Sequence, residues 1–210
     1  MKLAVIGSGN VGAAIGAWAA KAGYEVTFSA KSLEHAEKAA NVSGNGAKAA
    51  PARAAVEGAD LVLLAIPYGA AGEVLPELRA ALRGKTLIDA TNALSADFSS
   101  LTIGHVTSAA EEIAKLVPEA NVVKAFNTVF AQVYASQTPQ VNGKTLSVFC
   151  AGDNQEAKAQ VSALVSKLGF DAVDAGPLKN ARNVEALAML NISLGYGQGL
   201  GTNIGFTLNR

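Results

Sequence analysis

Over the first two-thirds of the chain, short apolar runs alternate with longer amphipathic stretches. The runs predict strands at Lys2–Ile6, Glu25–Ser29, Leu61–Ala65, Thr86–Ala90 and Val122–Phe126. The stretches between them predict helices at Val11–Ala22, Leu33–Ala40, Ala70–Leu82 and Ala109–Leu116. Strands that are apolar throughout, separated by helices, point to a parallel sheet covered on both faces. Gly23 and Gly84 stand where helix-terminating glycines belong. Ser108-Ala109-Ala110-Glu111 has capping-box spacing, a hydroxyl at the cap and a carboxylate three residues on, each able to satisfy a free backbone N–H. The turn-rich Gly44–Pro51 leaves room for a short edge strand.

Beyond residue 127 the pattern predicts one helix, a strand at Thr145–Ala151 and a helix at Gln155–Lys167. Asp153-Asn154-Gln155-Glu156 supplies that helix with a cap and a first-turn acid. A short strand at Asp171–Asp174 follows, then a helical segment at Leu178–Leu194. From Val184 onward this segment is apolar on every side, so it is expected to be buried. Five glycines between Gly195 and Gly205 stop it, and Ile204–Leu208 reads as a closing strand.

The first predicted strand runs directly into Gly7-Ser8-Gly9-Asn10-Val11-Gly12, and a helix follows at once. A bare Gly-x-Gly-x-x-Gly string is weak evidence, but strand, loop, helix and second strand in register are the dinucleotide-binding context. Gly7 permits the tight turn, Gly9 lets a pyrophosphate approach the backbone, and Gly12 lets helix and strand pack closely. Ser8, Asn10 and Val11 complete the loop, whose N–H groups at the helix start favour an anion. The expected architecture is α/β: a Rossmann-type doubly wound parallel sheet over residues 1–127, with a small C-terminal α+β extension over 128–210.

NAD-binding folds place an acid at the end of the second strand to hold the ribose 2′-hydroxyl. Here that position reads Ser29-Ala30-Lys31-Ser32, with no carboxylate before Glu34. A carboxylate would repel a 2′-phosphate, whereas Lys31 flanked by Ser29 and Ser32 would bind one by charge-assisted hydrogen bonds. NADP(H) is therefore favoured over NAD. Ligands of open α/β sheets lie beyond the carboxyl ends of the strands, which here read Ile66-Pro67-Tyr68, Thr91-Asn92 and Asn127-Thr128.

These ends hold amides and hydroxyls, but no nucleophile–base pair and no set of metal ligands. His35 falls on the second helix and reads as a surface residue, while His105 falls in a loop. A site of this kind suits hydride transfer, where the cofactor carries the chemistry and the protein supplies orientation; no essential acid or base is expected. Lys+Arg and Asp+Glu both number 17, so the formal net charge is zero, which argues against nucleic-acid or anionic-membrane partners. The single cysteine, Cys150, lies in an apolar run and reads as a buried structural thiol. Only four apolar residues follow Met1-Lys2 before Gly7, too few for a signal peptide, and no stretch approaches membrane-spanning length. A cytoplasmic protein acting on a small molecule is the expectation.

More specific are Val123-Lys124-Ala125-Phe126-Asn127-Thr128 and Asp174-Ala175-Gly176-Pro177-Leu178 with Ala181, Arg182 and Glu185. Together with the glycine loop and Ser108–Glu111, they make the whole chain resemble the coenzyme F-420-dependent NADP oxidoreductase family. The resemblance implies a homodimer in which a deazaflavin ring sits against the nicotinamide and exchanges hydride with it. It also puts Lys31 where the family has an arginine facing the 2′-phosphate. Val122–Thr128 is similar as well to the NADPH-binding domain of the six-transmembrane metalloreductases, which use FAD. The chain departs from deazaflavin-using members at Asn127, where they carry a histidine before the threonine. This leaves the acceptor open among coenzyme F-420, FMN and FAD. Lys179 and Asn183 share the Lys-x-x-x-Asn spacing of β-hydroxyacid dehydrogenases, so direct reduction of a carbonyl or imine is a second possibility. A non-catalytic NADP(H)-binding redox sensor is a third.

Overall fold

The computed structural model describes residues 1–210. Its sheet strands are β1 (Lys2–Ile6), β2 (Glu25–Ser29), β3 (Lys48–Ala49), β4 (Leu61–Leu64), β5 (Thr86–Asp89) and β6 (Asn121–Lys124). A small hairpin, β7 (Gln140–Val141) with β8 (Lys144–Thr145), precedes β9 (Ser147–Gly152) and β10 (Asp171–Asp174). The helices are α1 (Asn10–Lys21), α2 (Leu33–Ser43), α3 (Ala52–Glu57), α4 (Ala71–Leu82), α5 (Ala109–Leu116), α6 (Ala131–Ser136), α7 (Gln155–Lys167) and α8 (Ala181–Ile192). One sheet takes eight strands in the order β10-β9-β6-β5-β4-β1-β2-β3. Every neighbouring pair in it is parallel except β6 with β9, so the segment after residue 127 extends the sheet with reversed direction.

Successive side chains of a strand leave opposite faces, and the core divides accordingly. Leu3 and Val5 of β1 belong to the cluster that α1, α2, α6 and α7 cover, and Ala4 and Ile6 to the cluster on the other face, covered by α3, α4, α5 and α8. Each fully buried leucine or valine contributes roughly 1.5–3 kcal/mol through area removed from water. Cys150 is buried among them, and burial pushes its thiol up to about 12, so it is a packed side chain and no nucleophile.

Several expectations are corrected by the structure. Strands β4, β5 and β6 end one or two residues early, although single ladder bonds persist beyond them, such as Ala65 N–H to the Ile6 carbonyl at 2.8 Å. Helix α3 was not expected; Pro51 starts it and Gly58 follows its last residue. The β7–β8 hairpin was missed too, although Asn142 and Gly143 both take positive φ, as a tight hairpin turn requires. Helix α8 is not buried all round: Leu190 is 49% exposed, whereas the polar Glu185 and Asn191 point inward to bonding partners. Ile204–Leu208 forms no regular strand. It lies along β9 through Ser147, whose N–H donates to the Phe206 carbonyl and whose hydroxyl accepts from the Leu208 N–H, a side chain standing in for ladder backbone. At α5 only half of the capping box forms. Ser108 accepts from the Glu111 N–H, but the Glu111 carboxylate turns to Arg182 at 2.7 Å.

Candidate active site

The carboxyl ends of β1, β4, β5 and β6 lie on one edge of the sheet, with the glycine loop between β1 and α1. Gly7 takes φ +102°, and a Cβ there would stand 2.4 Å from the Ala65 carbonyl oxygen. A Cβ on Gly12 would stand 1.9 Å from the Gly7 carbonyl oxygen. Both glycines are thus required by the fold itself. Gly9 differs: its φ is −73°, and an added Cβ would meet nothing within 4 Å. No side chain caps α1, so the first N–H groups of that helix face the open space over Gly9. The Ser8 hydroxyl beside them is buried without a hydrogen-bond partner. An open glycine, free helix N–H groups and an orphaned hydroxyl fit a pyrophosphate.

The Gly7 N–H donates to the Ser29 carbonyl at 2.8 Å, which sets the end of β2 against the loop. Lys31 is exposed and has no acidic partner, and Ser32 occupies the N-cap position of α2 with no side-chain cap bond. One cation and an uncommitted hydroxyl therefore stand together where a 2′-phosphate would reach. Ile66, Pro67 and Tyr68 form the turn after β4, beside the loop; Ile66 and Tyr68 pack toward α4 and α5. The Tyr68 phenol is raised above its ordinary pKa, first by burial and then by Glu112, Glu185 and Asp89.

Past the loop, a cavity of about 950 Å³ opens between the ends of β5 and β6, α8 and the turn after it. Asn10 and Val11 of the loop line it, with Asn92, Asn127 and Thr128. Phe126 holds φ +68°, a conformation a bulky residue adopts only under outside constraint. The Tyr134 hydroxyl donates to its carbonyl at 2.7 Å and secures the turn that aims Asn127 and Thr128. The Asn127 amide donates to Asn92 Oδ1 at 3.0 Å, while its own Oδ1 is buried with no partner, as is Thr91 Oγ1. The orphaned Asn127 oxygen, on a residue that lines the cavity, fits a carboxamide or ring N–H. His105 and Lys179 are exposed and line no part of the cavity.

Beneath this end lies a charge cluster that sequence reasoning missed. Lys124 Nζ sits 2.9 Å from Asp89 and 3.0 Å from Glu185, with both carboxylates and the ammonium at most 1% exposed. Burial works against the ammonium, but Asp89 and Glu185 outweigh it and hold its pKa above the usual value. Two carboxylates against one ammonium leave a surplus negative charge. The start of α5 accommodates it, for Glu185 accepts from the Ala109 and Ala110 N–H groups at 2.8 and 3.1 Å. The cluster locks α8 to α5 and to the strand ends. Asn191, further along α8, donates to the Thr128 carbonyl at 3.1 Å. A detectable signal existed: two apolar strands ending in opposite charges, Asp89 and Lys124, at paired register.

A family model described as NADP oxidoreductase, coenzyme F420-dependent, matches residues 2–93. The F420-dependent NADP reductase of Methanothermobacter thermautotrophicus is 32% identical, over 92% of this chain and 89% of that protein. The Metalloreductase STEAP3 of Rattus norvegicus is 29% identical over 90% of this chain, a match that spans 36% of that protein. Among solved structures, a protein from Arthrobacter sp. FB24 described as an F420-dependent NADP-reductase superposes with a TM-score of 0.89 at 30% identity, covering all of both chains. The fold, the glycine loop and these matches together show that the chain belongs to the coenzyme F420-dependent NADP oxidoreductase family.

Proposed function

We propose that this NADP-dependent oxidoreductase exchanges hydride between NADP(H) and a deazaflavin ring. The observation that carries the proposal is one continuous cleft, from the glycine loop through Asn10 and Val11 to the cavity at Asn92, Asn127 and Thr128. Gly7–Gly12 would hold the pyrophosphate, and Ser29, Lys31 and Ser32 the 2′-phosphate. Ile66, Pro67 and Tyr68 would flank the adjoining ribose, and Thr91, Asn92, Asn127 and Thr128 would orient the nicotinamide. When bound, NADPH supplies the hydride, and the acceptor ring takes it with one proton from solvent. The protein's part is orientation and exclusion of water. Asn127 holds its amide against Asn92, Thr128 is tied to α8, and the apolar Phe126 and Val129 back the turn. Residues 128–210 would complete the acceptor pocket. Leu190 and Leu200, exposed at 49 and 60%, would give a homodimer apolar surface to bury. Lys179, which a carbonyl or imine reductase reading would need as proton donor, lies outside the cavity. No helix is long and apolar enough to cross a membrane.

Steady-state oxidation of NADPH, followed with a deazaflavin, with FMN or FAD, and with simple aldehydes and imines, tests this reading. Turnover with the ring acceptors alone is expected. Turnover with an imine that Lys179→Ala abolishes would replace it with the reductase reading, and tight NADPH binding without any turnover would replace it with a sensor.

A further inference from the structure

The buried charge cluster is bonded to the very backbone that carries the polar end of the cleft. Lys124, which ends β6, donates to the Thr91 carbonyl, and Asp89, which ends β5, accepts from the Thr91 N–H at 2.8 Å. Asn92 follows directly and lines the cavity. Glu185 of α8 stands 3.0 Å from the same ammonium. The carbonyl of Val184, one residue before it, accepts from the Asn127 amide at 3.4 Å. Every bond that the two carboxylates receive comes from an N–H donor.

The surplus negative charge of this cluster is not cancelled on its way to the cleft. The start of α5, worth roughly half a positive charge, offsets it only in part. No lysine, arginine or histidine lines the cavity, whose one charged side chain, Asp97, is itself negative; Phe98 and Tyr196 are among its aromatic ones. Bonds from the Ser95 and Ser99 hydroxyls hold the Asp97 pKa at about 2, so it stays charged. The Tyr68 phenol, on the turn after β4, registers the field. After burial and Glu112, Glu185 and Asp89 are the groups that raise its pKa. The nicotinamide ring is neutral in NADPH and carries one positive charge in NADP⁺. A fixed negative charge near it stabilises the oxidised form, and also the positive charge that develops as hydride leaves. At an effective dielectric of about 20, unit charges about 10 Å apart change an equilibrium constant on the order of tenfold.

We propose that Asp89, Lys124 and Glu185 tune the bound cofactor through their field, favouring the oxidised nicotinamide and so biasing NADPH toward giving up its hydride. The inference rests on the placement of the nicotinamide given above. Calorimetric titration with NADP⁺, NADPH and adenosine 2′,5′-bisphosphate, which lacks the nicotinamide, tests it. The unaltered protein is expected to hold NADP⁺ roughly 3- to 10-fold more tightly than NADPH, a measurement that needs no variant. Asp89→Asn removes the surplus charge and should erase most of that preference. Asp89→Asn combined with Lys124→Gln removes one charge of each sign, restores the surplus and should bring the preference back, although it alters more of the packing. The bisphosphate should bind all three proteins alike. NADPH held as tightly as NADP⁺ by the unaltered protein, a ratio that Asp89→Asn leaves alone, or a double variant that departs further would each overturn the proposal. So would an equal loss of all three ligands, which is what a merely structural role predicts. Turnover with the ring acceptors is followed in the same proteins. Its absence, with the binding ratios as expected, overturns the hydride-exchange reading and leaves the charge effect standing.

Discussion

The glycine loop and the cavity proposed for the acceptor sit on the same sheet edge but are constructed in opposite ways. The loop is a run of six neighbouring residues whose geometry follows from local rules: Gly7 for a positive φ, Gly12 for a close crossing, and helix N–H groups that no side chain takes. The pocket is assembled from β5, β6, α8 and the turn after it, and it is held by a buried ammonium between carboxylates 35 residues and 61 residues away in sequence. A site of the first kind is specified by sequence neighbours and tolerates change elsewhere. A site of the second kind depends on interactions between residues far apart in the chain, here from Asp89 to Asn191. Substitutions in the two regions should therefore separate binding from stability.

The largest effect is expected at Lys124. Lys124→Met leaves Asp89 and Glu185 buried without a cation, which should destabilise the protein by about 3–5 kcal/mol. Urea denaturation reads it directly, and an unchanged midpoint would show that the cluster does not join α8 to the sheet. Next come the two glycines that separate fold from ligand. Gly12→Ala forces a Cβ against the Gly7 carbonyl and should cost about 1–3 kcal/mol of stability. Gly9→Val should leave stability within about 0.5 kcal/mol, as at an open surface position, yet weaken NADPH by more than about tenfold. Normal NADPH affinity in that variant would mean that no pyrophosphate lies over Gly9.

Lys31→Ala should weaken NADPH roughly 10- to 150-fold, the range of one charge-assisted hydrogen bond, while NADH hardly changes. Parallel titrations decide, and equal losses for both cofactors would remove Lys31 from the 2′-phosphate site. The smallest effects concern turnover. Asn127→Ala or Thr128→Ala should lower kcat by less than about tenfold, and His105→Ala or Lys179→Ala by less still. Loss of an acid–base catalyst typically lowers the rate about 10²–10⁴-fold, and a fall of that size at any of the four would place proton transfer in the protein.

This contrast also explains what could be read in advance. The strands, the principal helices and the glycine loop were legible because periodicity and glycine geometry act within a few residues. The edge strand at Lys48–Ala49 and the Asn154 cap, which accepts from the Ala157 N–H at 2.9 Å, belong to the same class. Helix α8 was misjudged because periodicity registers apolar residues and not partners. Glu185 and Asn191 turn inward since the α5 N-terminus and the Thr128 carbonyl await them, and Leu190 is displaced outward. Glu111 left the capping box for Arg182, 71 residues away, for the same reason. Asp97 and Tyr196 carried no local signal at all; only the folded chain brings them to one cavity.

The end of the chain returns to β9 through Ser147, so the segment from Ser193 to Asn203 is fastened at both ends, by α8 and by Ile204–Leu208. Inside that span, backbone bonds from Leu200 to Leu194 and from Gly201 to Gly195 close a small self-contained loop that forms one wall of the pocket. None of its residues contributes a ladder bond to the sheet. For an evolving lineage, or for an engineer, this wall is an exchangeable cassette. Changes there would reshape the cavity wall without touching the sheet or the two clasps, except at Gly195, where an added Cβ would stand 2.8 Å from the Phe130 ring.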